Sequence, residues 1–75
     1  MAALSDFTPR EKEILPMLLA GWTNKEIAAK IFVSEKTVEF HLKIIYTKVG
    51  VRKRSLVSIW AIRQGVEVTT KPMNS

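Results

Sequence analysis

The residues of this sequence best suited to chemistry are its lysines and arginines, which are concentrated in one segment. Between Lys25 and Arg54 there are eight basic residues and three acidic ones, so this segment carries a net charge of +5, as does the whole 75-residue chain. Positive charge clustered in this way is typical of a surface that binds a polyanion such as nucleic acid. A basic face that only contacts solvent would have the same composition, so charge alone leaves both interpretations open.

Residues for other kinds of chemistry are missing or isolated. The chain has no cysteine and a single histidine, His41, so it offers neither disulfides nor a zinc-ligand set. It has no glycine-rich phosphate loop, no nucleophile beside a base and no cluster of catalytic carboxylates. We therefore expect no enzyme activity, no metal and no cofactor. No apolar run reaches the roughly 18 residues of a membrane span, and the N-terminus lacks signal-peptide features, so we expect no membrane partner.

Two capping boxes predict the first two helices. In Thr8 to Glu11 and in Thr23 to Glu26, the threonine hydroxyl and the glutamate carboxylate can each accept a backbone N–H of the first turn. Gly21 is a suitable end for the first helix. Pro16 lies inside that helix, where it removes a hydrogen bond, and we expect a kink or local irregularity there.

Serine caps predict two further helices. Ser34 can cap a third helix over residues 35–49, and Ser55 a fourth that ends before Gly65. No segment alternates like a strand, so we predict an all-α fold: a compact four-helix domain that contains a helix-turn-helix, with the third helix as recognition helix. We expect one domain over residues 1–75, with its core at about 7–66 and a flexible tail at 67–75.

The third helix has one apolar stripe and one basic face. At about 100° per residue, the apolar residues fall on one side: Val38, Leu42, Ile45 and Val49. Lys36, Phe40, Lys43 and Thr47 fall opposite. An aromatic ring among lysines suits the DNA major groove, where it can touch a thymine methyl while lysines reach guanine edges or phosphates. Phe40 packing against a neighbouring loop or subunit is the alternative. His41 lies beside the core stripe, where we expect a packed helix residue.

Several motifs resemble the LuxR-type (GerE-like) helix-turn-helix domain of bacterial transcription regulators. They occur in the expected order and cover roughly Phe7 to Val66. The matching segments are Thr8–Leu15, Asn24–Ala28, Val33–Val38, His41, Gly50–Val51 and Arg54–Ser55. The resemblance implies a cytoplasmic regulator that binds double-stranded DNA, usually as a dimer on an inverted repeat, with RNA polymerase as a further candidate partner.

The resemblance also implies roles for individual residues. Lys43 would face the base edges together with Glu39 and Phe40. The phosphate contacts would come from Lys25, Lys36, Thr37, Arg52, Lys53 and Arg54, to which the outward-facing Thr47 is added. Glu39 departs from a common family pattern, because many members carry lysine or another polar residue there. Its carboxylate can accept a hydrogen bond from cytosine N4, or it can form a surface ion pair with Lys43.

The fourth helix has two apolar stripes. Val57, Trp60 and Ala61 suit the core, whereas Leu56, Ile59 and Arg63 form a second stripe. A second apolar stripe on a small domain indicates a partner surface, and we expect a homodimer through it. Alternatively, a missing domain, or the tail through Val66 and Val68, covers this second stripe.

Taken together, these features predict sequence-specific binding of double-stranded DNA in transcription regulation. The alternative is a protein-interaction module of the same fold that has lost specific DNA binding.

Overall fold

A computed structural model describes residues 3–68 of the chain. Over that range it has no strand, and the predicted all-α fold is confirmed. The third helix has the predicted bounds. Residues 69–75 of the predicted tail lie outside the described residues. The elements are a 3-10 turn at Leu4–Asp6, α1 at Pro9–Leu19, α2 at Asn24–Ile31, α3 at Glu35–Val49 and α4 at Arg54–Arg63.

The first three α-helices begin as their sequences predict. Thr8 and Thr23 both form complete capping boxes with the glutamate three residues on. Ser34 Oγ accepts the amide N–H of Thr37 at 3.1 Å. Helix α1 is continuous across Pro16, so the proline does not end it.

The predicted start of the fourth helix is wrong. Helix α4 begins at Arg54, its N-cap is Lys53 without a side-chain hydrogen bond, and Ser55 lies inside the first turn. The reason is tertiary, because the Arg54 guanidinium donates to the carbonyl oxygen of Trp22 and to Oδ1 of Asn24. These two bonds tie the first turn of α4 to the start of α2.

The turn between α2 and α3 contains an unusual backbone conformation. Phe32 has φ = 58°, in the left-handed region, while its side chain is 92% exposed. The conformation lets the N–H of Val33 donate to the carbonyl of Ala28 at 3.0 Å, which closes the end of α2. Glycine is favoured at such a position because it has no Cβ to clash. The tight turn therefore imposes this conformation on a phenylalanine.

The core is shared by all four helices. Helix α1 packs mainly on α4, and α2 mainly on α3. The predicted inward residues of α3 and α4 are buried, except that Val49 is half-buried. Leu4 of the 3-10 turn also packs against this core. The buried apolar residues are Phe7, Ile14, Leu15, Met17, Leu18, Trp22, Ile27, Ala28, Ile31, Val38, Leu42, Ile45, Val57, Trp60 and Ala61.

A partly buried ion pair joins α1 to the last turns of α3. Lys48 Nζ lies 2.7 Å from Oε1 of Glu11 and 2.9 Å from the carbonyl oxygen of Asp6. It also lies 5.4 Å from the ring centroid of Phe7, which stacks on Trp60. Burial raises the pKa of Glu11, but the hydrogen bond from Lys48 and those of the Thr8 cap outweigh it, so the pKa lies below its usual value. The pair thus holds a charged carboxylate in the core and fixes α3 against the N-terminal segment.

Candidate nucleic-acid interface

The outward face of α3 is exposed over the described part of the chain. Lys36, Glu39 and Lys43 are all exposed, and the side chain of Phe40 is 61% exposed. The Phe40 ring forms an edge-to-face contact with the ring of its neighbour His41, with centroids 5.9 Å apart. No loop within residues 3–68 covers it, so the predicted exposed ring among basic residues is present on this face.

Two shallow grooves adjoin along this face and share Lys43 and Tyr46. The first lies between the starts of α2 and α4 and the middle of α3, and the second lies beside the end of α3. Because three separate segments line these grooves, the fold brings together many of the residues that sequence reasoning singled out. They are Lys36, Glu39, Phe40, Lys43 and Arg54 in the first groove and Lys43, Thr47 and Arg52 in the second.

Three predicted residues lie at helix starts. Lys25 is the second residue of α2, and Lys36 and Thr37 are the second and third residues of α3. The first N–H groups of a helix favour negative charge, so lysines at these positions add to a field of the same sign. The Thr37 hydroxyl lies 2.9 Å from the Ser34 hydroxyl, which fixes its orientation.

Two other predicted residues are engaged within the chain. The guanidinium of Arg54 is half-buried and bonds Trp22 and Asn24, as described above. The Thr47 hydroxyl donates to the carbonyl oxygen of Lys43 at 2.9 Å, so its single proton is in use. Arg52 and Lys53, in contrast, are exposed between α3 and α4.

Glu39 and Lys43 do not pair with each other. The ion pairs among residues 3–68 are Arg10 with Glu13 and Lys48 with Glu11. The surface pair that the four-residue spacing allows is therefore not formed, and the Glu39 carboxylate lines the first groove without an ion-pair partner in the described chain.

Helix α4 exposes an apolar face away from the core. Leu56 is 43% exposed, Ile59 is 48% exposed and Ile62 is 60% exposed, and Arg63 lies beside them at the helix end. Sequence reasoning had named Leu56, Ile59 and Arg63 but missed Ile62, although its spacing of three from Ile59 continues the stripe. Val66 packs against the core and Val68 is exposed, so neither buries this face over the described residues.

Sequence reasoning also missed Tyr46 and Asn24. Tyr46 lines both grooves, and its place three residues after Lys43 was the available signal. Asn24 orients Arg54 across a separation of 30 residues, which no local pattern reveals. Among residues 3–68 there is no group of three metal-ligating side chains, and no helix there is long and apolar enough to cross a membrane.

The sequence of this chain is similar to those of known regulatory proteins. The chain is 45% identical over 65 residues to the transcriptional regulatory protein LnrK of Bacillus subtilis (strain 168), covering 87% of this chain and 30% of that protein. It is 47% identical over 53 residues to the probable transcriptional regulatory protein SgaR of Hyphomicrobium methylovorum, covering 71% of this chain and 25% of that protein. The chain therefore spans less than a third of the length of these relatives.

The fold is similar to that of a solved structure of the transcription factor GerE, with a TM-score of 0.74 and 34% sequence identity. That match covers 81% of this chain and 91% of GerE. The family model described as bacterial regulatory proteins, luxR family, matches residues 5–61. With the helix-turn-helix of α2 and α3 in place, these matches show that the chain belongs to the luxR family of bacterial regulatory proteins, as the DNA-binding domain of a transcription regulator.

Proposed function

We propose that this domain binds double-stranded DNA at specific sequences by placing α3 in the major groove. The observation that carries the proposal is the exposed face of α3, where Phe40 and Lys43 line grooves that also contain Lys36, Arg52 and Arg54. A major groove about 12 Å wide admits one α-helix. Helix α2, which packs on α3, would then cross the DNA backbone, as the first helix of such a pair does.

Base edges are read by the centre of the α3 face. Lys43 donates to guanine O6 or N7, and Phe40 contacts a thymine methyl. Glu39 accepts a hydrogen bond from cytosine N4, a role supported by the absence of an ion pair with Lys43 in the described chain. These three contacts would set the sequence preference.

Phosphates are bound around this centre and fix the register of the domain on the duplex. Lys25, Lys36 and Thr37 act at helix starts, and the exposed Arg52 and Lys53 act between α3 and α4. Arg54 contributes through the guanidinium N–H groups that do not bond Trp22 or Asn24. Thr47 contributes when its hydroxyl rotates away from the carbonyl oxygen of Lys43.

The apolar face of α4 joins two copies of the domain. Leu56, Ile59 and Ile62 are the exposed apolar residues of this helix, and Arg63 borders them. Two copies related by a twofold axis read two half-sites about one helical turn apart, roughly 34–36 Å. Sedimentation of the parent and of Leu56→Glu over a concentration series tests this surface. Unchanged self-association of the variant would show that the surface is wrong.

As part of a longer regulator, the domain would act on transcription where the bacterial chromosome lies, in the cytoplasm, and RNA polymerase is the candidate protein partner. The relatives named above are described as transcriptional regulatory proteins, which supports this role.

Selection of binding sites from a random duplex pool, near physiological salt, tests the main proposal. A recovered inverted repeat would support specific binding as a dimer and give the half-site spacing. Binding at low salt with no consensus would leave only non-specific attraction and favour an interaction module. Affinity for the selected site should fall steeply with salt, because each neutralised phosphate releases counterions.

A further inference from the structure

We propose that Tyr46, on the DNA-binding face, contacts a DNA phosphate through its neutral hydroxyl group. This inference rests on the proposed function, and it assigns to the interface a residue that neither the charge pattern nor the resemblance singled out. Tyr46 is shared by the two grooves that flank Lys43, so it lies where both basic surfaces meet.

The aromatic ring of Tyr46 is held in place by the fold. The residue is half-buried and packs against the hydrophobic core. Its carbonyl oxygen accepts the N–H groups of Gly50 at 2.8 Å and Val51 at 3.1 Å, which close the end of α3. A side chain anchored in this way loses little freedom on binding, so its polar tip is already ordered for a contact.

The hydroxyl group of Tyr46 is available to a ligand. Among residues 3–68 it has no hydrogen-bond partner, yet it is not one of the buried unsatisfied groups, which are the indole nitrogens of Trp22 and Trp60. Tyrosine commonly has this arrangement at interfaces, with an apolar body on the protein and a polar tip that contacts the partner. The hydroxyl therefore offers a donor to whatever enters the groove.

The surroundings of this hydroxyl select an anion. Lys36, Lys43 and Arg54 line the first groove against the single carboxylate of Glu39, and Arg52 lines the second. A phosphate oxygen accepts a hydrogen bond from a neutral O–H donor, and bonds to a charged acceptor are stronger than neutral ones.

The position along α3 favours the DNA backbone over the bases. Residues near the start of a recognition helix reach base edges. Tyr46 lies seven residues after Glu39, about 10 Å further along the helix axis. It also lies between the core stripe and the outermost residues, towards the side of the helix, where the groove wall rather than its floor is closest.

The variant Tyr46→Phe removes the hydroxyl and keeps the packed ring. We expect its thermal stability to match the parent and its affinity for the selected DNA site to fall roughly 3- to 30-fold. The loss should be equal on single-base variants of the site, because a phosphate contact carries no sequence information. The dependence of affinity on salt should keep its slope, because no charge is removed. In Lys53→Ala, the matched charged contact, the slope should fall by about 0.9.

Duplexes with single methylphosphonate linkages, which replace one charged phosphate at a time, locate the contact. At the phosphate that Tyr46 binds, the losses from the linkage and from Tyr46→Phe should not add. Equal affinities of Tyr46→Phe and the parent would overturn this inference and leave the proposed function standing. The same would follow if the two losses added at every phosphate, or if the loss of affinity in Tyr46→Phe differed among single-base variants of the site. A parent that binds no duplex would overturn it together with the proposed function.

Discussion

Two lysines of α3, five residues apart, differ in their polar contacts within the chain. Lys43 is exposed in the grooves of the DNA-binding face and forms no ion pair within residues 3–68. Lys48 is half-buried and paired with Glu11 beneath the N-terminal segment. Five residues turn the helix by about 140°, so the two side chains project in different directions. The same charge thus serves binding at one position and folding at the other, and a count of basic residues cannot tell them apart.

The largest effect we expect is a loss of stability in Lys48→Ala. Removing the lysine ammonium leaves the carboxylate of Glu11, which is 2% exposed, without its cation. Breaking a fully buried pair costs about 3–5 kcal/mol, and since the Lys48 side chain is 28% exposed we expect about 2–4 kcal/mol. Urea unfolding measures the loss.

Lys43→Ala is the matched control, and its free energy of unfolding should stay within about 0.5 kcal/mol of the parent. Equal stabilities of the two variants would remove the distinction between these lysines. A double variant, Glu11→Gln with Lys48→Met, should regain part of the lost stability because no charge stays buried.

The reverse comparison concerns DNA binding. Lys43→Ala should weaken binding to the selected site by about 1–3 kcal/mol and relax the preference at one base pair, because its donor to a guanine edge is gone. Affinities for the site and its single-base variants measure both effects. Lys12→Ala, on the exposed side of α1, removes the same charge away from both grooves and should change affinity much less. Equal losses for Lys12 and Lys43 would indicate a diffuse charge effect.

Local chemistry made much of this fold predictable. The caps at Thr8, Thr23 and Ser34 depend on groups three residues apart, and the faces of α3 depend on its period, so both follow from short windows of sequence. The contacts of Lys48 and Arg54 within the fold, in contrast, are with Glu11 and Trp22, which lie 37 and 32 residues away in the sequence. No short window contains such pairs, which is why the start of α4 was misplaced and why Lys48 was counted with the DNA-binding charge.

A smaller effect should appear in acid. Because the pKa of Glu11 lies below its usual value in the folded domain, the folded state binds fewer protons there than the unfolded state. The stability that ionised Glu11 contributes is therefore complete above its ordinary pKa of about 4.5, and it is lost as pH falls through the lowered pKa of the folded state. Urea unfolding of the parent and Glu11→Gln across this range measures it. The stability difference should shrink as pH falls, and a constant difference would show that the pair does not act through its charge.

The smallest effect concerns the acidic neighbour of Lys43 on the same face. Glu39→Gln removes a charge that repels phosphate, so binding to unrelated DNA should tighten slightly, while preference for cytosine at one position should weaken by about 1 kcal/mol. Affinities over a panel of single-base site variants separate these effects. An even change at all positions would contradict base reading by Glu39. The carboxylate would then only reduce the attraction that Lys43 and its basic neighbours exert on every duplex, and specificity would rest on Phe40 and Lys43.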